Sequence, residues 1–170
     1  MTQPVDKEWF WRRRLKLAKE QEHLHYSVFL ATDSHWGRIY KIHANVLTKE
    51  IKPDESVLDL GCGYGRMAPL FVNYTGVDFS HEFIEEAKAM FPDKTFLCAD
   101  LNKLPFKDKE FDVGFAISMK HMIVANLGEE KWKKMEDECK RVCKKVILLE
   151  YGISESHFDT PDQIGNYEIL

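Results

Sequence analysis

The sequence has no long apolar run, and none approaches the roughly 18 residues that a membrane-spanning helix needs. Residues 1–6 show no secretory pattern. There are four cysteines, and two of them, Cys139 and Cys143, lie four apart on one predicted helix without the second pair that a zinc site requires. A net charge of -4 gives no overall positive field for nucleic acid, although a local basic patch is compatible with it. These absences favour a cytoplasmic protein with reduced thiols, no metal and no membrane partner.

Glycine is also scarce, with nine in 170 residues, but the segment 61–65 has glycine at every second position. It follows a strand pattern at 56–60 that contains Asp59, and a helix pattern at 66–72 comes next. Glycine has no Cβ, so a ligand can lie directly against the backbone of such a turn. The N-terminus of a following helix would favour anions, although Pro69 requires that helix to begin near Gly65.

Two further acids follow strand patterns. Asp78 ends a strand at 74–77, before a helix that Ser80 or His81 opens, and Asp100 follows a strand at 94–98. The first carboxylate could accept hydrogen bonds from both hydroxyls of a ribose. The second could accept from the exocyclic amine of a purine, on whose face Leu101 would pack. In a parallel sheet the carboxyl ends of such strands line one crevice, so these groups would share one ligand.

The remaining elements complete an α/β pattern. Two more strands are predicted at 112–117 and 145–150, and further helices at 80–90 and 129–142. Before them, 31–35 is predicted to be a loop, and a longer helical stripe follows that comprises Trp36, Ile39, Tyr40, His43, Leu47 and Ile51. Alternating strands and helices predict a doubly wound parallel sheet with helices on both faces.

In order and spacing, these motifs resemble the class I S-adenosylmethionine-dependent methyltransferases over roughly residues 56–150. The matching segments are the glycine motif at 57–65, the ribose motif at 76–80, the adenine motif at 99–101, the fourth strand at 111–116 and the fifth strand at 146–150. The competing interpretation is a nicotinamide-binding domain, which requires Gly-x-Gly-x-x-Gly. Here Gly65 comes one position early, and Asp59 would repel a pyrophosphate but suits the amino group of a methionine.

The resemblance implies a three-layer Rossmann-like methyltransferase fold with strand order 3-2-1-4-5. It implies S-adenosylmethionine as cofactor and S-adenosylhomocysteine as product. We expect a helical cap at 1–51, a cofactor-binding core at 52–150 and a short tail at 151–170. The residues expected to contact the cofactor are Asp59, Gly61, Cys62, Gly63, Tyr64, Asp78, Phe79, Ser80, Asp100, Leu101, Ala116 and Ile117.

The segment 116–121 would lie where the transferred methyl points. It lacks the Asn/Asp-Pro-Pro-aromatic motif of DNA amino-methyltransferases and the Pro-Cys pair that attacks pyrimidines. It also lacks an acid pair for Mg²⁺, because Asp112 is at the start of its strand, which is the wrong end. His121 remains as a candidate general base, since histidine titrates near neutral pH, or as a residue that only caps or packs. We expect transfer to oxygen or nitrogen of a small molecule. The alternatives are an RNA or protein methyltransferase, or a non-catalytic cofactor-binding module that needs a partner chain.

Both ends of the chain raise separate expectations. The basic, aromatic segment at 9–16 could bind a phosphate backbone or form an amphipathic helix with a solvated face. The N-terminal region could also act as a lid, with Tyr26, His35, Trp36 or Arg38 closing over the cofactor. After the fifth strand the sequence at 151–170 is polar, so most or all of strands six and seven should be missing. The apolar edge at 146–149 would then need cover from the tail, a second subunit or the N-terminal helices. We expect a homodimer with its acceptor site roofed by residues before Ile51.

Overall fold

A computed structural model of the chain describes residues 33–150 and 167–170, together with Lys16; for residues 33–39 it describes the backbone alone. The chain divides into two compact units, Met1–Lys41 and Ile42–Leu170, and nearly all described residues belong to the second. Apart from Lys16, the segment at 9–16 lies outside the described residues, as do the aromatic side chains expected to form a lid. The hypotheses of a lid and of a phosphate-binding helix therefore stay predictions.

The second unit contains one sheet in the order β3-β2-β1-β4-β5-β6. The first five strands pair in parallel, and the last is antiparallel to β5. The predicted α/β fold and the strand order 3-2-1-4-5 are thereby confirmed. The strands are β1 (Val57–Leu60), β2 (Tyr74–Asp78), β3 (Thr95–Cys98), β4 (Phe111–Ile117), β5 (Cys143–Leu149) and β6 (Tyr167–Ile169).

Four α-helices are described around the sheet: α1 (Asp33–Glu50), α2 (His81–Met90), α3 (Lys120–Leu127) and α4 (Glu129–Val142). In α1, His43 and Leu47 are buried, as is Ile51 just after it, which confirms the lower part of the predicted stripe. The helix includes Asp33, so the expected loop at 31–35 does not extend through His35. Among the described helices, none is long and apolar enough to cross a membrane.

The prediction of an α-helix at 66–72 is wrong. The chain forms only a short 3-10 helix, Ala68–Leu70, with Pro69 in its first turn. The Ala68 amide donates to the Gly65 carbonyl at 2.9 Å, and the Leu70 amide to the Met67 carbonyl at 3.0 Å. Pro69 has no N–H, so a longer run of i to i−4 bonds would be interrupted there. An α-helix N-terminus therefore does not support anion binding at the glycine turn.

Two further predictions need correction in the second half of the chain. No helix was predicted at Lys120–Leu127, because its apolar residues do not follow a helical period. Its N-terminus is held instead by a residue far along the chain, Glu150, whose two oxygens accept from the amides of Lys120 at 2.8 Å and His121 at 3.2 Å. Cys143 does not lie on α4 with Cys139; it is the first residue of β5. All four cysteines are free thiols.

The outer edge of β5 is covered by the tail, which was one of the three expected forms of cover. Ile147, Leu148 and Leu149 pair with the three residues of β6, and Val146 exchanges two backbone hydrogen bonds with Leu170. The polar tail therefore contributes one short strand. Because this pairing covers the apolar edge, the edge itself no longer requires a second subunit, and the homodimer stays a prediction.

The loop between β3 and β4 is held against α4 by Arg141. Its guanidinium donates to the carbonyls of Leu104 at 3.2 Å and Phe106 at 2.9 Å, and pairs with Glu138 and Asp108, both at 2.7 Å. Several bonds from one planar group fix the direction of this loop. The contacts of Arg141 hold residues 104–108 of this loop, which follows β3 and also contains Asp100.

Candidate functional site

The glycine turn joins the carboxyl ends of β1 and β2. The amides of Gly61 and Cys62 both donate to the Val77 carbonyl, at 2.8 and 2.9 Å. The Gly63 amide donates to Asp78 Oδ2 at 2.9 Å. Gly63 has a φ of 56°, and a Cβ built on it meets nothing within 4 Å. The turn thus needs glycine for its backbone conformation and leaves open space over Gly63.

Asp78 is buried at 6% exposure, and both of its oxygens are engaged. Oδ2 accepts from the Gly63 amide and Oδ1 from the Ser80 amide, each at 2.9 Å. Burial raises the pKa of Asp78 above its ordinary value, while the backbone donors of Ser80, Gly63 and Phe79 oppose that rise. A carboxylate oxygen has two lone pairs, so each can accept one more hydrogen bond, such as one from a ribose hydroxyl.

Asp59 lies inside β1 and is buried at 4% exposure. Its Oδ2 accepts a 2.7 Å hydrogen bond from the Tyr74 hydroxyl. Burial raises the pKa of Asp59 to about 7; the Tyr74 hydrogen bond and the charge of Arg66 oppose the rise, and the charge of Asp78 adds to it. A buried carboxylate in this state would be stabilised in its ionised form by a cation placed beside it.

The basic residue whose charge acts on this acid is Arg66. Arg66 follows the last glycine of the turn, and its Nη2 lies 3.2 Å from Nδ1 of His43. His43 is buried, and burial together with the charge of Arg66 lowers its pKa to about 3. The imidazole is therefore neutral at physiological pH and can accept from Arg66 through Nδ1. Neither residue was predicted at the site from the sequence, nor was Tyr74, although Arg66 directly adjoins the glycine motif.

The predicted purine-binding residues differ in exposure. Asp100 is exposed, and its Oδ1 accepts from the backbone amide of Asn102 at 2.9 Å and from the Asn102 side chain. Phe79 has 48% of its surface exposed, whereas Leu101 is buried in the hydrophobic core at 6%. Phe79 therefore offers more free surface for stacking than Leu101.

Three other predicted contacts have buried side chains. Cys62 is 7% exposed and Tyr64 5%, so any ligand contact with either residue would come mainly from its backbone. Burial raises the pKa of Tyr64 to about 12. The Ser80 hydroxyl accepts from the Phe83 amide at 3.3 Å and caps α2, as predicted for the start of that helix. Ser80 therefore has a structural function at this position.

The end of β4 contributes the last predicted residues. Ala116 is buried and Ile117 half-buried. Ser118 follows with a φ of 55°, and its amide donates to the Leu149 carbonyl at 2.7 Å. Its Oγ is buried and has no hydrogen-bond partner among the described residues. His121 comes three residues later, in the first turn of α3, and is exposed.

The parallel register relates these residues to one another. Leu60 pairs with Ala116, and Asp78 pairs with Cys98, so β1, β2, β3 and β4 end along the same edge of the sheet. One direct hydrogen bond, from the Gly63 amide, joins the glycine turn to Asp78. The edge therefore combines backbone donors, three carboxylates and an exposed aromatic ring, which is a set of groups suited to a nucleoside that carries an amino acid.

Comparison with known proteins identifies the family. The family model described as a methyltransferase domain matches residues 58–146, which is more than half of the chain. The chain belongs to this family, and the predicted membership of the class I S-adenosylmethionine-dependent methyltransferases is confirmed.

Individual relatives agree with this assignment. An uncharacterized protein of Methanocaldococcus jannaschii is 30% identical over 72% of this chain and 46% of its own length. A demethylmenaquinone methyltransferase of Thermotoga maritima is 28% identical over 79% of this chain and 58% of its own. A SAM dependent methyltransferase from Aquifex aeolicus shares the fold, with a TM-score of 0.58, 20% identity and coverage of 75% and 74%. The chain spans about half the length of the curated relatives it matches.

Proposed function

We propose that this protein binds S-adenosylmethionine at the carboxyl edge of its sheet and transfers the methyl group to oxygen or nitrogen of a small molecule. The observation that carries this proposal is the hydrogen bond from the Gly63 amide to Asp78, beside the buried Asp59. It sets an open glycine turn between two carboxylates that suit a ribose and an ammonium group. Membership of the methyltransferase family supports the same ligand.

The chemistry of the donor groups fits this cofactor. The space over Gly63 would be filled by a Cβ, so the turn offers a cradle in which the backbone is accessible. Asp78 would accept from the ribose hydroxyls, and Asp59 would pair with the amino group of the methionine. Phe79 would stack on the adenine while Asp100 accepts from its exocyclic amine.

The residues after β4 would align the acceptor and remove its proton. When bound, S-adenosylmethionine supplies a methyl group made electrophilic by the sulfonium. His121, exposed in the first turn of α3, would take the proton from the acceptor's hydroxyl or amine as that atom attacks. For an acceptor that is already a good nucleophile, alignment and exclusion of water would be enough.

The proposed class of acceptor follows from one relative and from the charge of the chain. The Thermotoga maritima relative is named for a small molecule, demethylmenaquinone, which favours a small acceptor here. The net charge of -4 does not favour nucleic acid. An RNA or protein acceptor, and a module that needs a partner chain, remain as the alternative outcomes of the test.

Calorimetry with S-adenosylmethionine and S-adenosylhomocysteine tests the proposal. We expect both to bind, and turnover on a panel of small phenols, alcohols and amines to produce S-adenosylhomocysteine. Failure to bind either compound would refute the cofactor site. Binding without turnover would instead favour the module, and strongly salt-dependent binding of RNA would favour a nucleic-acid substrate.

A further inference from the structure

We infer that Met119 is a positioning residue for methyl transfer: its side chain packs on Gly61 and thereby sets the place of α3, whose first turn carries His121, relative to the glycine turn. The inference rests on the proposed function, because it concerns the distance between the cofactor and the group that would deprotonate the acceptor. It assigns a function to a residue outside the predicted site, and it gives a reason for glycine at the first position of the turn.

The first argument is the contact between Met119 and Gly61. A Cβ built on Gly61 would collide with Met119 Sδ and would lie 3.2 Å from its Cε. A Cβ built on Gly63 meets nothing within 4 Å. The two glycines therefore leave room for different groups, Gly61 for the side chain of Met119 and Gly63 for a ligand. Methionine suits this position because its unbranched, flexible thioether can fill an irregular gap.

The second argument is where this contact lies in the sheet. Leu60, the last residue of β1, pairs with Ala116 of β4. Gly61 directly follows the first of these residues, and Met119 comes three positions after the second. In the strand order 3-2-1-4-5 the direction of the connections reverses between β1 and β4, and doubly wound sheets bind their ligands in the crevice at that point. Met119 therefore spans the crevice in which the cofactor would meet the acceptor.

The third argument is how α3 is held in place. Of its eight residues only Ile123 is buried, so packing against the core fixes the helix weakly. Its N-terminus is attached to the end of β5, because Glu150 accepts from two of its amides and the Ser118 amide donates to the Leu149 carbonyl at 2.7 Å. Met119, whose carbonyl accepts from the Ile123 amide at 2.9 Å, supplies the contact with the glycine turn. The first turn of α3 is thus held between the end of β5 and the glycine turn.

The first test separates positioning from cofactor binding. The glycine turn keeps its own hydrogen bonds without Met119, from the Gly61 and Cys62 amides to the Val77 carbonyl. Met119→Ala should therefore lower kcat by about tenfold or more while S-adenosylhomocysteine affinity changes by less than about twofold, because a small misplacement of a reacting group slows the chemistry without removing a binding contact. Met119→Leu, which nearly preserves the volume of the side chain, should keep most of the kcat.

Met135 provides the matched control. Like Met119, it is a partly buried methionine that packs against the hydrophobic core, but it lies on α4. Met135→Ala should lose a similar amount of stability and retain full kcat. Equal kcat values for the two alanine variants would overturn the inference, as would a loss of kcat in Met119→Ala with equally weakened S-adenosylhomocysteine binding. An unmodified protein that binds no S-adenosylhomocysteine, or that methylates no acceptor of the panel, would instead refute the proposed function.

A double variant tests the contact itself by thermal unfolding, without any acceptor. Gly61→Ala places a methyl group against Met119, in addition to the strain of alanine at a φ of 74°. Met119→Ala makes room for that methyl group, so it should cost less stability in the Gly61→Ala protein than in the unmodified one. In the Gly63→Ala protein, whose new methyl group meets nothing within 4 Å, Met119→Ala should cost as much as in the unmodified protein. Equal losses in all of these proteins would show that Met119 does not pack on Gly61, and the inference would be wrong.

Discussion

The Tyr74 hydroxyl donates a 2.7 Å hydrogen bond to Asp59 Oδ2, and both groups are buried. Tyr74 is the first residue of β2, and in the parallel register it lies opposite Val57, two positions before Asp59. The tyrosine side chain thus spans neighbouring strands to reach the acid. It lowers the pKa of Asp59, but burial outweighs it and leaves the value at about 7.

We predict that affinity for S-adenosylhomocysteine rises with pH up to about 7. Below that pH Asp59 holds a proton and cannot pair as an anion with the ligand's ammonium group. The groups whose charge or hydrogen bond acts on it are Tyr74, Arg66 and Asp78. Tyr74→Phe removes a donor to the ionised carboxylate, so the pKa of Asp59 should rise and the midpoint of the affinity curve should move to higher pH.

Calorimetry between pH 5.5 and 7.5 measures this dependence. Asp59→Asn is the control, and it should bind weakly with a flatter pH profile. The same shift affects the free protein: Asp59 by itself lowers stability as pH rises from about 4 to about 7, because the unfolded chain releases a proton that folded Asp59 keeps. His43, whose pKa is lowered to about 3, has the opposite effect up to its ordinary pKa of 6.5, so the fall should be visible only when His43→Leu and His43→Leu/Asp59→Asn proteins are compared. Equal affinities at pH 5.5 and 7.5 would contradict the assignment of Asp59 to the ammonium group.

We predict that Gly63→Ala weakens S-adenosylhomocysteine binding by about tenfold or more, because the new methyl group occupies the space over the turn. Gly128 provides a matched control. It also has a positive φ, 88°, and a Cβ built on it also meets nothing within 4 Å. Both alanine variants should lose about 1–3 kcal/mol of stability from backbone strain, but only Gly63→Ala should lose affinity. Similar affinities for the two variants would show that the space over Gly63 is not used.

Local signals predicted much of the fold. The apolar residues of β1 predicted a strand. The side chain of Ser80, which can accept a hydrogen bond from a helix amide, predicted the start of α2. Pro69 was recognised as unfavourable within an α-helix, but a helix was still predicted around it. The chain forms a short 3-10 helix there instead. The order of the strands followed from the family motifs, which combine several weak patterns in one sequence order.

The remaining features depend on contacts between distant residues. The amides at the start of α3 donate hydrogen bonds to Glu150, about 30 positions away, so no local pattern indicated that helix. Likewise, β6 is a strand because β5 offers it an edge, although the tail is polar. Asp59 was predicted from its position before the glycines, but Tyr74 and His43 reach the site only after the strands and α1 have packed.

We predict that Ser118→Gly does not reduce stability and still lowers turnover. A non-glycine residue with φ of 55° carries strain of about 1–2 kcal/mol, and a buried hydroxyl without a partner costs about 1–3 kcal/mol. Glycine removes both costs. The hydroxyl lies just after β4, where the acceptor would bind, so its loss should slow methyl transfer while leaving S-adenosylhomocysteine affinity unchanged.

Ser118→Ala separates the two contributions. It removes the hydroxyl but keeps the strained backbone, so it should lower turnover as much as Ser118→Gly does, with a smaller gain in stability. Thermal unfolding and steady-state kinetics give both quantities. A loss of stability in both variants with normal turnover would show that Ser118 only supports the end of β4.

The last prediction concerns His121 and the acid that holds its helix. If the imidazole takes the proton from the acceptor, His121→Gln should reduce kcat by about 10² to 10⁴, with S-adenosylhomocysteine affinity unchanged. Glu150 accepts from the His121 amide at 3.2 Å and from the Lys120 amide at 2.8 Å. Glu150→Ala should loosen this turn and give a smaller loss of kcat, because the imidazole remains present but is less well placed. In the double variant the loss should match that of His121→Gln alone, since a misplaced base and an absent base do not add. If His121→Gln retained full kcat with an acceptor that must lose a proton, alignment by the rest of the site would be sufficient and His121 would have no part in the chemistry.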